Sequence, residues 1–240
     1  MNNVVIQNLK KNYGKLTALN NVNLEIGEGM YGLLGKNGAG KTTLMRILTT
    51  ILPETSGKVE LCGIPLAKKR EIRRIIGYLP QDFSLYPSLT VYENLDYCGI
   101  LSELSSNERK ARIKDILEKV NLTDEQKKKA KALSGGMKRR LGIAQAMLNN
   151  PKVLIVDEPT VGLDPEERYR FRNLLTESAK ERVIILSTHI VEDIENTCTT
   201  IGILDKGTLK YNGGLEDFKT QMNKKNLEAA YLALLKGGKA

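Results

Sequence analysis

The stretch "MYGLLGKNGAGKTTLMRILTTILP", Met30 to Pro53, decides the fold. It opens on a short apolar run, "MYGLLG", of the kind that forms a buried strand. A glycine-rich segment follows. After it Leu44, Ile47, Leu48 and Ile51 recur at helical spacing, and Pro53 is expected to end that helix. Within the loop, Gly35-Lys36-Asn37-Gly38-Ala39-Gly40-Lys41-Thr42 fits the pattern G-x4-G-K-[ST] in full. Glycines let consecutive backbone N–H groups face a phosphate, Lys41 reaches the β/γ oxygens, and the Thr42 hydroxyl binds Mg2+. An ordinary glycine turn would not need a strand before it and a helix after it.

Working outward, Val4, Ile6, Val22, Leu24 and Ile26 alternate with polar residues, which predicts half-exposed antiparallel strands. "GKVELCGIPL" reads as a hairpin, and "IIGYLPQDF" as a buried strand leading into a loop at Gln81. From Pro87 to about Asn150 the texture becomes charged and helical, with Ile113, Ile116, Leu117 and Val120 forming one apolar stripe. "KVLIVDEPT" and "RVIILSTH" then each run four apolar residues into a polar strand tip, and "TIGILDKGTLKYNG" closes with a Lys-Gly hairpin. Apolar strands alternating with helices predict an α/β fold with a mainly parallel sheet covered on both faces, an N-terminal antiparallel β subdomain and an inserted helical subdomain.

Four features carry chemistry. Asp157 and Glu158 end an apolar strand, where one carboxylate can hold a metal and the other polarise a water; helix capping is the plainer alternative. His189 is the only histidine, and follows a buried strand beside two hydroxyls. Gln81 and Tyr13 are unremarkable alone, although a ring before a phosphate loop can stack on a base. The fourth is "ALSGGMKRRLGIAQAML", Ala132 to Leu148, which reads as a second anion-binding turn at a helix start.

The order Tyr13, GKNGAGKTT, Gln81, LSGGM, VLIVDEPT, GLDP, His189 resembles the nucleotide-binding subunit of ABC transporters over about residues 4 to 215. The resemblance implies a single ATPase domain, with 1–86 and 150–215 as the nucleotide-binding core, 87–149 as a helical signature subdomain and 216–240 as a helical tail. It implies ATP and Mg2+ as ligands and a head-to-tail pairing of two ATPase subunits. Ser134, Gly135 and Gly136 would contact the nucleotide on the partner's Gly35–Thr43 loop. Lys41, Thr42 and Thr43 would bind phosphate and metal, Asp157 and Gln81 the metal, and Glu158 would be the general base. His189 would sense the γ-phosphate, Tyr13 stack on adenine, and Asp164 link the sites across the interface.

The wording from LSGGM to GLDP is similar to ATPases of drug, peptide and lipid exporters served by a separate membrane permease, which implies a cytoplasmic location on the membrane's inner face. Where the family signature commonly ends in Gln, this one has Met137, and Lys36 stands where Pro is frequent.

Bulk properties agree. A hydrophobic fraction of 41% and a mean hydropathy of −0.30 support a sizeable core and a soluble chain. Cys62, Cys98 and Cys198 match no metal-ligand spacing and read as reduced thiols. No apolar run approaches the ~20 residues of a membrane span, and the N-terminus lacks the order of a secretory signal. The net charge of +9 keeps nucleic acid in view as a rival partner. Three Phe and no Trp argue against a base-stacking surface, although nine Tyr remain available, and no nucleic acid is expected.

Overall fold

The computed structural model describes residues 2–237. Met1 and the last three residues of the expected tail lie outside them. Strands β1 (Val4–Tyr13) and β2 (Leu16–Ile26) pair antiparallel and turn Val4, Ile6, Leu9, Leu19 and Val22 inward. β3 (Gly29–Leu34) is buried from Met30 onward and feeds the glycine loop, after which α1 (Lys41–Leu48) begins.

That helix ends well before Pro53, earlier than the sequence suggests. Thr50 turns left-handed (φ 60), its N–H donates to the Ile47 carbonyl, and the Ile51 N–H donates to Arg46. This is a Schellman closure with a β-branched residue in the place glycine usually takes. Arg73 holds it there, donating from Nε to Thr50 Oγ1 at 2.9 Å.

β4 (Ser56–Leu61) and β5 (Ile64–Pro65) form the expected hairpin about Cys62 and Gly63, both at positive φ. After α2 (Lys69–Ile75) and β6 (Ile76–Leu79) come three helices, α3 (Val91–Leu101), α4 (Ser106–Lys119) and α5 (Gly135–Met147). Thr90 with Glu93, and Ser105 with Glu108, close capping boxes that set where α3 and α4 start. The chain then alternates: β7 (Val153–Asp157), α6 (Pro165–Ser178), β8 (Val183–Thr188), α7 (Val191–Glu195), β9 (Thr200–Asp205) and β10 (Thr208–Gly214). Helices α8 (Leu215–Gln221) and α9 (Leu227–Leu235) finish it. Leu227, Ala230 and Tyr231 bury one face of α9, and the Leu227 N–H donates to Glu195 of α7 at 2.9 Å.

The larger sheet has the order β10-β9-β3-β8-β7-β6, parallel except for β10. Its two faces explain the unbroken apolar runs. On β7, Leu154 and Val156 join the core shared with α3 to α9, while Val153 and Ile155 join the core under α1 and the antiparallel sheet. A strand buried on both sides has no polar alternate. Register places the chemistry: Leu34 pairs with Thr188 and Asp157 with Ser187. The loop after β3 and the tips of β7 and β8 therefore meet at one sheet edge, where parallel sheets bind ligands.

β6 touches α5 with almost no clearance. A Cβ at Gly77 would stand 2.0 Å from the Ala146 carbonyl oxygen, a backbone atom that cannot swing aside. Gly77→Ala is expected to lower unfolding free energy by about 1–3 kcal/mol or more, read from the urea midpoint.

Candidate active site

The Gly35–Thr43 loop is held by its own backbone. Gly40 sits at φ 108, and a Cβ there would lie 2.7 Å from the Ala18 carbonyl oxygen; a Cβ at Gly35 would lie 2.5 Å from that of Leu204. Only glycine fits either position. Ala39 is buried beneath the loop, whereas Lys36, Asn37 and Gly38 face outward. Lys41 is nearly buried, and its Nζ donates to the Gly35 carbonyl at 2.6 Å, bending the side chain back over the loop.

An open cleft of about 640 Å³ covers this loop. Asn37, Gly38, Gly40, Lys41, Thr42 and Thr43 line it on one side, Tyr13, Leu16, Thr17 and Ala18 on another, with Gln81 and Glu158 opposite. Tyr13 is half exposed, and the Lys11 ammonium lies 5.2 Å from its ring centroid. Most of the sequence-chosen residues are thus brought to one place. Leu16 to Ala18 were not chosen, because a strand start after a turn carries no chemical signature.

The acidic pair is treated unequally. Glu158, in the left-handed region at φ 49, is surrounded by partners. Its carboxylate lies 3.4 Å from Lys41 Nζ, accepts from the Thr188 hydroxyl at 3.2 Å, and sits 2.9 Å from His189 Nδ1. That last contact requires the proton on Nδ1, since an ionised carboxylate only accepts. Asp157 is fully buried, and neither carboxylate oxygen has a hydrogen-bond partner. Burial pushes its pKa up, against the opposing pull of the Ser187 and Thr42 hydroxyls. An orphaned buried carboxylate beside a threonine hydroxyl and a phosphate loop is a donor set that fits a hard divalent cation.

The second glycine turn lies elsewhere. Ser134 caps α5, its Oγ accepting from the Met137 N–H at 3.2 Å, and Asp164 caps α6 by accepting from the Glu167 N–H at 2.9 Å. Both therefore have local structural work whatever else they do. Gly136 packs against Glu167, but a Cβ on Gly135 would meet nothing within 4 Å. Gly135 opens on a separate cleft of about 630 Å³, together with Phe83, Lys138, Arg139 and Val161; Gln81 alone among the sequence-chosen residues borders both clefts. Met137 packs against the core beneath α5, which accounts for an apolar residue there.

A glycine loop between a buried strand and a helix, facing an acidic pair on a parallel strand, defines a P-loop nucleoside triphosphatase. The chain belongs to the ABC transporter family, whose model matches residues 19–161, more than half of its length. It is 39% identical to the linearmycin resistance ATP-binding protein LnrL of Bacillus subtilis over 85% of this chain and 66% of that one. It is also 39% identical to the Nod factor export ATP-binding protein I of Paraburkholderia xenovorans, over 83% of this chain and 66% of the relative. The chain thus spans about two thirds of the length of these relatives.

Among solved structures it is similar to an ATP-binding subunit of an ABC transporter (TM-score 0.87, 30% identity, 97% of this chain and 99% of that one). It is similar also to the dimeric bacterial ABC transporter cassette MJ0796 (TM-score 0.79, 29% identity, 88% and 98%). Among the described residues no helix is long and apolar enough to cross a membrane.

The unpartnered Asp157 gives a stability prediction. Its folded pKa lies above its unfolded value, so the buried charge destabilises the chain increasingly as pH rises from the ordinary carboxylate range. Without nucleotide, Asp157→Asn is expected to raise the urea midpoint at pH 7, with the advantage shrinking as pH falls through the raised folded pKa and gone below about 4. Equal midpoints at pH 7 would show that the carboxylate carries no such penalty.

Proposed function

We propose that the chain is the ATP-hydrolysing subunit of an exporter, working as a head-to-tail pair beneath a separate membrane permease on the cytoplasmic side. Each ATP would lie between the Gly35–Thr43 loop of one copy and the Ser134–Gly136 turn of the other. One observation carries this: the Gly135 turn is exposed and opens on a cleft its own phosphate loop does not line. A turn at a helix start, exposed at Gly135, suits anionic oxygens that arrive from outside its own chain. The dimeric MJ0796 cassette supports the pairing, and a post-hydrolysis form of that cassette bound to ADP and Pi supports the reaction. The relatives named for linearmycin resistance and Nod factor export support the direction of transport.

In this reading the loop N–H groups and Lys41 bind the phosphates, while Tyr13 offers its ring to the base. Asp157, Thr42 and Gln81 would hold Mg2+, which when bound would neutralise charge on the phosphate oxygens. Glu158 would take the proton of the attacking water. Its carboxylate is engaged by Lys41, Thr188 and His189, so it must first lose a partner. An arriving γ-phosphate competes for Lys41, which frees one carboxylate oxygen in the act of binding substrate. His189 stays on the other carboxylate oxygen, Oε2, and keeps the base aimed. Asp164 would stand at the pair's interface.

Two variants test the scheme. Glu158→Gln should keep ATP binding, lower kcat by about 10²–10⁴-fold and accumulate as an ATP-bound dimer on a sizing column. Full turnover would remove Glu158 from the base role. Gly135→Asp places an acid in the first turn of α5, which the helix favours, at a position where a Cβ would meet nothing within 4 Å. Its fold and ATP affinity should match the parent, while ATP-driven dimerisation is lost; a dimer at parental strength would place the turn away from the partner's triphosphate.

A further inference from the structure

We infer that Arg139 is a positioning residue for hydrolysis, clamping the backbone under Glu158 and the Gln81 loop to the helix that starts at the Ser134 turn. The inference rests on the proposed role of Glu158 as base. Arg139 is only 8% exposed and pairs with no carboxylate among the described residues; its partners are two carbonyls and an aromatic face. Nη1 donates to the Gln81 carbonyl and Nη2 to that of Glu158, each at 3.1 Å, and the guanidinium carbon lies 5.3 Å from the Phe83 ring centroid. Burial disfavours the charged guanidinium more than the nearby Asp82 carboxylate supports it, and no direct ion pair compensates, so stability alone gives little reason for an arginine here.

What it holds needs holding. Glu158 carries a side chain at φ 49, a conformation that persists only when its surroundings over-determine it. The Glu158 N–H is fixed by the Ser187 carbonyl at 2.8 Å, and the carbonyl on the other side of the residue by Arg139. Arg139 makes no contact with the carboxylate, whose partners are Lys41, Thr188 and His189; it sets direction, not charge. The Gln81 loop is seated by the same helix a second time. Phe83 packs onto Gly142, where a Cβ would come within 2.5 Å of the ring. In the paired state, the helix that offers Gly135 to one nucleotide would thus aim the base and Gln81 at the other, joining the two sites through one rigid element.

A planar fork spans two carbonyls on different elements, whereas a compact ammonium lacks that fixed reach and a thioether donates to neither. Arg139→Lys and Arg139→Met are therefore compared with the parent chain in steady-state ATPase assays. In both, kcat should fall about 10–100-fold, the loss expected from a misaimed reacting group, with KM and ATP affinity within about twofold of the parent. In a Glu158→Gln background, Arg139→Met should still dimerise on ATP. Parental kcat in either variant would overturn the assignment. So would a joint loss of kcat, ATP affinity and cooperative unfolding, which would make Arg139 a merely structural residue. Full turnover by Glu158→Gln would instead remove the base reading itself, whatever Arg139 does.

Discussion

Two carboxylates side by side and out of water repel each other and lose hydration, and the sheet edge at Asp157 and Glu158 is organised around that difficulty. Glu158 is relieved by an ammonium, a hydroxyl and an imidazole; neither Asp157 oxygen has a hydrogen-bond partner among the described residues, and the nearby Ser187 and Thr42 hydroxyls only partly ease its charge. This asymmetry separates a group poised to handle a proton from one suited to a cation, and geometry rather than residue type makes the distinction. It depends on register. Because β3, β7 and β8 run parallel and Asp157 pairs with Ser187, a slip of one residue would turn every tip side chain to the opposite face.

Residues at the second glycine turn serve the fold as well as any ligand. Ser134 starts α5 and Asp164 starts α6, so losing either weakens a helix before any question of nucleotide arises. Gly136 is likewise confined by Glu167, which Arg140 holds at 3.3 Å. Gly135 alone in this group has no neighbour that would object to a side chain. It is the position at which a functional role separates cleanly from an architectural one.

Much of this was legible in the sequence, for a physical reason. A phosphate loop is a backbone device, and its requirements for glycine, an apolar strand and a following helix fall within a few consecutive residues, Met30 to Leu48. The strand tips carrying Asp157 and His189 announce themselves by apolar runs that stop abruptly. The end of α1 was hidden, because Thr50 reaches the left-handed region only with Arg73, supplied by a later helix. Arg139 was hidden too. It is the middle one of three consecutive basic residues, Lys138 to Arg140, which carry no sign of burial in the sequence, and only the fold turns it inward onto two carbonyls. Leu16 to Ala18 contribute by position alone, which no motif records.

Helix α9 has a further consequence. Its first N–H is tied to Glu195 at the end of α7, and α7 begins two residues after His189. The imidazole therefore stands at the near end of a short lever whose far end is pinned by the last described helix. Detaching that helix would slacken the lever without removing a strand from the six-stranded sheet. On the role proposed for His189, alignment at the site is in this sense less durable than the scaffold beneath it, and gentle warming would be felt first as idling, not as collapse.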